Sequence, residues 1–151
     1  MKFQEYERYM ERAITQASLA ASYGEVPVGA VIVLNSEIIS EAHNQVEGDN
    51  NITSHAEILA ITRAEKIIKN WRLSDAILVS TLEPCPMCIS AAILSRIKTI
   101  IFGAYDKRLG SCGSQFDLSQ HPLMPCNPKV IGGVLEDRCS LLLSDFFSKI
   151  R

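Results

Sequence analysis

Three short, nearly uninterrupted apolar runs, at residues 28–34, 76–80 and 99–103, constrain this chain more than any other feature. Each is rich in valine and isoleucine and too short for a helix that must stand on its own. Strands covered on both faces read this way, whereas a half-exposed strand alternates polar and apolar residues. Between and around the runs lie segments of helical period. Residues 6–22 carry Met10, Ala13, Ile14, Ala17, Ala20 and Ala21, with Gly24 as a stop. Residues 54–69 carry Ile58, Leu59, Ile61, Ile67 and Ile68, and residues 136–149 carry Leu141, Leu142, Phe146 and Phe147. A further helix is expected over 86–95. Asn35-Ser36 forms a tight turn into a second strand at 37–42, and 129–131 supply a short fifth strand. Turn residues make 48–51 a loop, and Gly110, Gly113, Pro122, Pro125 and Pro128 break regular structure across 104–128. Helices alternating with buried strands predict a three-layer α/β/α fold around a central mixed five-stranded sheet.

The 151 residues are about one domain's worth, and no linker, repeat or low-complexity tract divides them, so a single domain over 1–151 is expected. With 47% hydrophobic and 21% charged residues, the chain can bury a core and is not a disordered tail. No apolar run approaches the ~18 residues of a membrane span. The charged opening, MKFQEYERYMERAITQ, lacks an apolar signal core. A reduced, cytoplasmic setting is the expectation, and Asn51-Ile52-Thr53 is then a chance glycosylation sequon. Five cysteines, at 85, 88, 112, 126 and 139, cannot all pair, which points to metal ligands or buried thiols. The net charge of −2 hides an asymmetry. Residues 1–62 hold three Lys or Arg against nine Asp or Glu, and residues 63–151 hold twelve against eight. Such a bias marks either a nucleic-acid face or ordinary solvated surface.

The strongest local signal is Pro84-Cys85-Pro86-Met87-Cys88. Two cysteines three apart at a helix start can turn both sulfurs toward one metal ion, and the helix N-terminus favours their thiolates. A bare Cys-x-x-Cys also suits a redox pair. A four-cysteine ribbon needs a second close pair, which Cys112, Cys126 and Cys139 are too scattered to provide. His55-Ala56-Glu57 decides. Catalytic zinc takes three protein ligands and leaves its fourth position to water. His55, Cys85 and Cys88 make three, and Glu57 is placed to handle the proton of that water. Ser54-His55-Ala56-Glu57 also fits a capping box, in which Glu57 would only bond back to Ser54. Joined to the downstream Pro-Cys-x-x-Cys, His-x-Glu completes the signature of the zinc-dependent base deaminases. The chemistry needs these residue types. Zinc brings the pKa of bound water toward ~7, giving a nucleophile for the ring carbon that bears an exocyclic amine. One carboxylate then carries one proton from the water to the ring nitrogen and a second to the departing ammonia.

At these residues the chain resembles the cytidine deaminase superfamily and, within it, the bacterial tRNA-specific adenosine deaminase family. The likeness runs nearly end to end, from Glu25-Val26-Pro27-Val28-Gly29-Ala30-Val31 to Leu143-Ser144-Asp145-Phe146-Phe147. Other carriers are Thr81-Leu82-Glu83-Pro84-Cys85, Ser95-Arg96-Ile97, His121-Pro122 and Phe102-Gly103-Ala104-Tyr105-Asp106. The resemblance implies a cytidine-deaminase-like fold, one zinc ion per chain, a homodimer, and conversion of the wobble adenosine of a tRNA anticodon to inosine.

Carried over residue by residue, it implies zinc ligands at His55, Cys85 and Cys88 and a proton shuttle at Glu57. Asn44, Pro27, Val28, Ala56, Leu82 and Asp106 are implied to meet the substrate. Lys107, Arg108, Phe147, Lys149 and Arg151 are implied RNA contacts, with Lys129 also lining the approach. Plain structural roles stay open: Asn44 as a turn cap, Asp106 as a strand terminator, Phe147 as core. The chain departs from the family pattern at Asn50-Asn51-Ile52, at Tyr105 and at Pro125-Cys126-Asn127-Pro128, none of which touches the zinc motif. Deamination of a free base or nucleoside, of guanine or cytosine type, and a noncatalytic zinc-containing RNA-binding module are the competing readings.

Overall fold

A computed structural model describes residues 3–150. Helix α1 (Phe3–Ser22) leads into β1 (Gly29–Leu34) and β2 (Glu37–His43), followed by the short α2 (Val46–Asp49) and the longer α3 (Ala56–Ile68). Then come β3 (Ile77–Leu82), α4 (Pro86–Leu94), β4 (Thr99–Ala104), β5 (Lys129–Ile131) and α5 (Glu136–Lys149). The five strands form one sheet in the order β2-β1-β3-β4-β5. Strand β1 runs antiparallel to both β2 and β3, while β3, β4 and β5 are parallel. The mixed sheet expected from the three apolar runs is therefore the one observed.

Those runs are almost wholly apolar because both sheet faces are covered. Ala30 and Ile32, Leu78 and Ile100 pack against Ala60 and Ala64 of α3 and Ile89 and Ile93 of α4. Their neighbours Val31, Val33, Val79 and Ile101 face the other way, against Met10, Ala13 and Ile14 of α1 and Cys139 of α5. The two-residue period of a strand sends adjacent side chains to opposite layers, so each needs an apolar residue at every position. Helix α1 lies so close to β1 that a Cβ on Gly29 would meet the Ala13 carbonyl oxygen at 2.0 Å, which only glycine permits.

Strand directions gather the functional residues at one end of the sheet. The carboxyl ends of β3 and β4 lie side by side, with Leu82 paired to Ala104. Because β1 is antiparallel, its first residue, Gly29, falls at that same end, paired with His43 and donating its amide to Thr81 Oγ1 at 3.1 Å. Ligands of open α/β sheets bind where parallel strands end. Two elements were not expected. Residues 46–49 form a helical turn, and Leu118–Gln120 a 3-10 turn inside the irregular stretch. The first is held from outside itself, since buried Glu25 accepts hydrogen bonds from the Glu47 and Gly48 amides at 3.0 and 2.6 Å.

Candidate active site

Helices α3 and α4 both begin at this end of the sheet, and each is capped by a metal-type ligand. His55 occupies the N-cap position of α3 and Cys85 that of α4, with Pro86 following at a position where no amide donor is needed. His55 Nδ1, Cys85 Sγ and Cys88 Sγ all lie within 4.8 Å of one another. The histidine nitrogen is 3.7 Å from Cys85 Sγ and 3.4 Å from Cys88 Sγ. Zinc bonds of ~2.0–2.1 Å to nitrogen and ~2.3 Å to sulfur, at a tetrahedral angle, separate such atoms by about 3.6 Å. The donor set fits zinc. Hydrogen bonding from Cys88 and from His55 pulls the Cys85 thiol down to about 4. Cys88 is pushed up by Cys85 and by burial, a conflict that a shared cation relieves. Cys112, Cys126 and Cys139 lie outside the cluster. Burial pushes the thiols of Cys112 and Cys139 up to about 12, and Cys126 donates to the Ile93 carbonyl.

The capping box does not form. The Ser54 hydroxyl donates instead to Asp49 Oδ2 at 2.8 Å, and the N-cap has no side-chain hydrogen bond. Glu57 is thereby left to the site. It is 4% exposed, and burial raises its carboxyl to about 7. A carboxyl balanced between its two forms near neutral pH suits a group that must both take and return a proton.

A cavity of about 680 Å³ opens onto His55, Glu57 and Cys85. That is within the ~300–1,000 Å³ of small-molecule clefts. Asn44, Val28, Ala56, Leu82, Asp106, Arg108 and Phe147 line it. Pro27 lies between two lining residues, Val26 and Val28, without lining the cavity itself. Lys107 lines an adjoining recess of about 590 Å³ that shares Asp106, Arg108 and Phe147. Lys149, exposed at the end of α5, lines neither space. Lys129 opens β5 opposite Thr99, at the far end of the sheet. Arg151 lies outside the described residues.

The open alternatives divide. Asn44 is 8% exposed and its Nδ2 donates to the Val26 carbonyl at 3.3 Å. Its Oδ1 is buried without any partner, which a turn cap would not leave. Asp106 both lines the cavity and closes a local turn, Oδ1 accepting from the Arg108 and Leu109 amides. Phe147 stacks edge-on against Phe146 at the cavity rather than in the core.

Glu25, Glu83, Ile52, Leu109, Phe146 and Ile150 also line the cavity and were not foreseen. Glu83 did carry a signal: a lone acid between an apolar strand and the Pro-Cys motif has no place in a core unless something answers it.

Residues 3–104 match the family model of the cytidine and deoxycytidylate deaminase zinc-binding region. The chain belongs to this deaminase family. A tRNA-specific adenosine deaminase of Bacillus subtilis is 46% identical over 96% of this chain and 90% of its own length. A structure from a study of A-to-I editing by tRNA:A34 deaminases at the wobble position of transfer RNA superposes with a TM-score of 0.88. It is 35% identical, over 90% of this deaminase and 99% of that chain. A guanine deaminase structure from Bacillus subtilis is 40% identical, but the likeness covers 66% of this deaminase and 64% of that chain, with a TM-score of 0.63. The relationship to the adenosine deaminases therefore includes the carboxyl-terminal third that the zinc motif does not reach.

Proposed function

We propose that this deaminase converts the wobble adenosine of a tRNA anticodon to inosine by zinc-dependent hydrolysis, releasing ammonia. The observation that carries the reading is the cluster of His55, Cys85 and buried Cys88, which meets one cavity through His55 and Cys85 beside buried Glu57. The end-to-end likeness to tRNA-specific adenosine deaminases supplies the substrate. His55, Cys85 and Cys88 would hold the metal, which when bound supplies the Lewis acidity that makes water nucleophilic at neutral pH. Glu57 takes a proton from the water that adds at adenine C6 and delivers it to the adjacent ring nitrogen. It then takes the second proton, from the new C6 hydroxyl, and passes it to the amine, which leaves as ammonia while C6 becomes a carbonyl. Its raised pKa supports that two-way role.

The unpartnered Oδ1 of Asn44 offers an acceptor to a donor on the base, and Val28, Ala56 and Leu82 supply walls against which the ring packs. Pro27 centres a tight turn behind those walls, in which the Val28 amide donates to the Val26 carbonyl at 2.8 Å. A stacked base cannot reach this depth, so the substrate is a loop whose bases can be splayed out. Asp106 meets the ribose or backbone, Lys107 and Arg108 the phosphates, and Phe147, with Lys149 and Arg151 beyond it, the loop itself. One domain over 1–151 suffices for the chemistry.

A homodimer and a cytoplasmic location belong to the same reading. Exposed Leu94, Phe116 and Leu123 offer apolar surface for a second copy, and no described helix is long and apolar enough to cross a membrane. Incubating the protein separately with tRNA, guanine and a panel of free nucleosides tests the substrate. Ammonia and inosine are expected from tRNA. Release from a free base alone would replace this reading with small-molecule deamination.

A further inference from the structure

Among the described residues, Glu83 is the only charged one in the set of largest fully buried side chains, 1% exposed. It follows β3, and its amide extends the parallel ladder by donating to the Ala104 carbonyl at 2.8 Å. A carboxylate in such a place is unfavourable unless donors surround it. Here four do, and all come from one stretch of chain. Oε1 accepts from the Asp106 amide at 3.1 Å and from the Ser114 hydroxyl. Oε2 accepts from the Cys112 and Ser114 amides at 3.0 and 3.1 Å. Among the described residues no lysine, arginine or histidine forms a salt bridge with it.

The segment is shaped to close on this group. A Cβ at Gly110 would lie 2.5 Å from Glu83 Cδ and 2.4 Å from the Asp106 carbonyl oxygen. Only glycine lets the chain come so near. The constraint passes outward: Asp106, pinned through its amide, holds the Arg108 and Leu109 amides with its own carboxylate. All three residues line the cavity.

We infer that Glu83 is a positioning residue: its buried carboxylate fixes the 105–114 segment and thereby sets the wall that Asp106, Arg108 and Leu109 present to the substrate. Only its kinetic consequence rests on the tRNA reading above. Hydrogen bonds to a charged acceptor are among the stronger ones, and all four depend on an oxygen that only accepts. Glu83→Gln keeps the volume but turns an amino group toward the amides.

The test measures amide hydrogen exchange, zinc content and steady-state kinetics on an anticodon stem-loop RNA. In E83Q, protection at the Asp106, Cys112 and Ser114 amides should fall by about tenfold or more, with KM raised about tenfold. Zinc content should hold, and kcat should stay within about threefold. S114A, which removes only the hydroxyl donor, should move KM the same way by less. G110A, which pushes the segment off the carboxylate by bulk, should reproduce the E83Q pattern even if E83Q fails to fold. Unchanged protection in these variants would overturn the inference. So would a fall in kcat at constant KM, or a loss of zinc together with activity. If the wild-type protein leaves the RNA unmodified, the substrate reading fails, while the exchange measurement still decides the role of Glu83.

Discussion

The metal donors and Glu57 sit in the first turns of α3 and α4, anchored by helices that bury Ala60, Ala64, Ile89 and Ile93 against the sheet. Most residues expected to meet RNA sit on connections, Asn44 after β2 and Asp106 to Arg108 after β4, while Phe147 lies in the last turn of α5. Both regions border one cavity, yet different forces hold them. The donor wall is fixed by apolar packing and helix geometry. The rim is fixed by buried carboxylates that gather backbone amides, Glu25 for the 46–48 turn and Glu83 for the 105–114 segment. Chemistry that tolerates no displacement is built on the stiffest elements, while recognition is built on loops that can differ between relatives without disturbing the metal.

The sharpest way to break this division is to attack the donor wall. Cys88→Ala, or a strong chelator, should remove zinc and take deamination to background, both read by metal analysis and an inosine assay. Substitution at the rim should never do so. Glu57→Ala should lower kcat by about 10²–10⁴-fold with zinc content and thermal melting unchanged. A variant that also failed to hold zinc would make Glu57 part of the metal wall.

Asn44→Ala comes next, with kcat/KM reduced about ten- to a hundredfold, the range expected when one hydrogen bond to the base is removed. Equal activity would return Asn44 to a turn-capping role. The smallest effect belongs to the outermost rim. Reversing charge at Lys107 and Arg108 should weaken tRNA binding several-fold at moderate salt, with zinc unchanged. It should also flatten the salt dependence by about one unit of log–log slope for each phosphate no longer neutralised. An unaltered slope removes both from the interface.

Legibility in the sequence follows the same divide. The strands were readable because burial on both faces demands unbroken apolar runs, and His55, Cys85, Cys88 and Glu57 because metal chemistry ties residue type to close spacing. The rim was legible mainly through resemblance. Glu83 works through backbone amides at 106, 112 and 114, and every non-proline residue carries an amide, so no pattern of side chains records the interaction. The turn at 46–49 depends on Glu25, more than twenty residues earlier, which local turn chemistry does not register. Charge totals misled for a related reason. The excess of cations in 63–151 carries no direction, and Lys129, one of them, lies at the end of the sheet away from the cavity.

The central claim is that a zinc site served by Glu57 deaminates the wobble adenosine of tRNA. Its most direct test is the inosine content of that position after incubation with wild-type and Glu57→Ala protein, with zinc measured on the same samples. About one zinc per chain is expected in both proteins, and inosine only with the wild type. Inosine formed equally by the zinc-loaded variant, or no inosine from zinc-loaded wild type on any tRNA with a wobble adenosine, would contradict it.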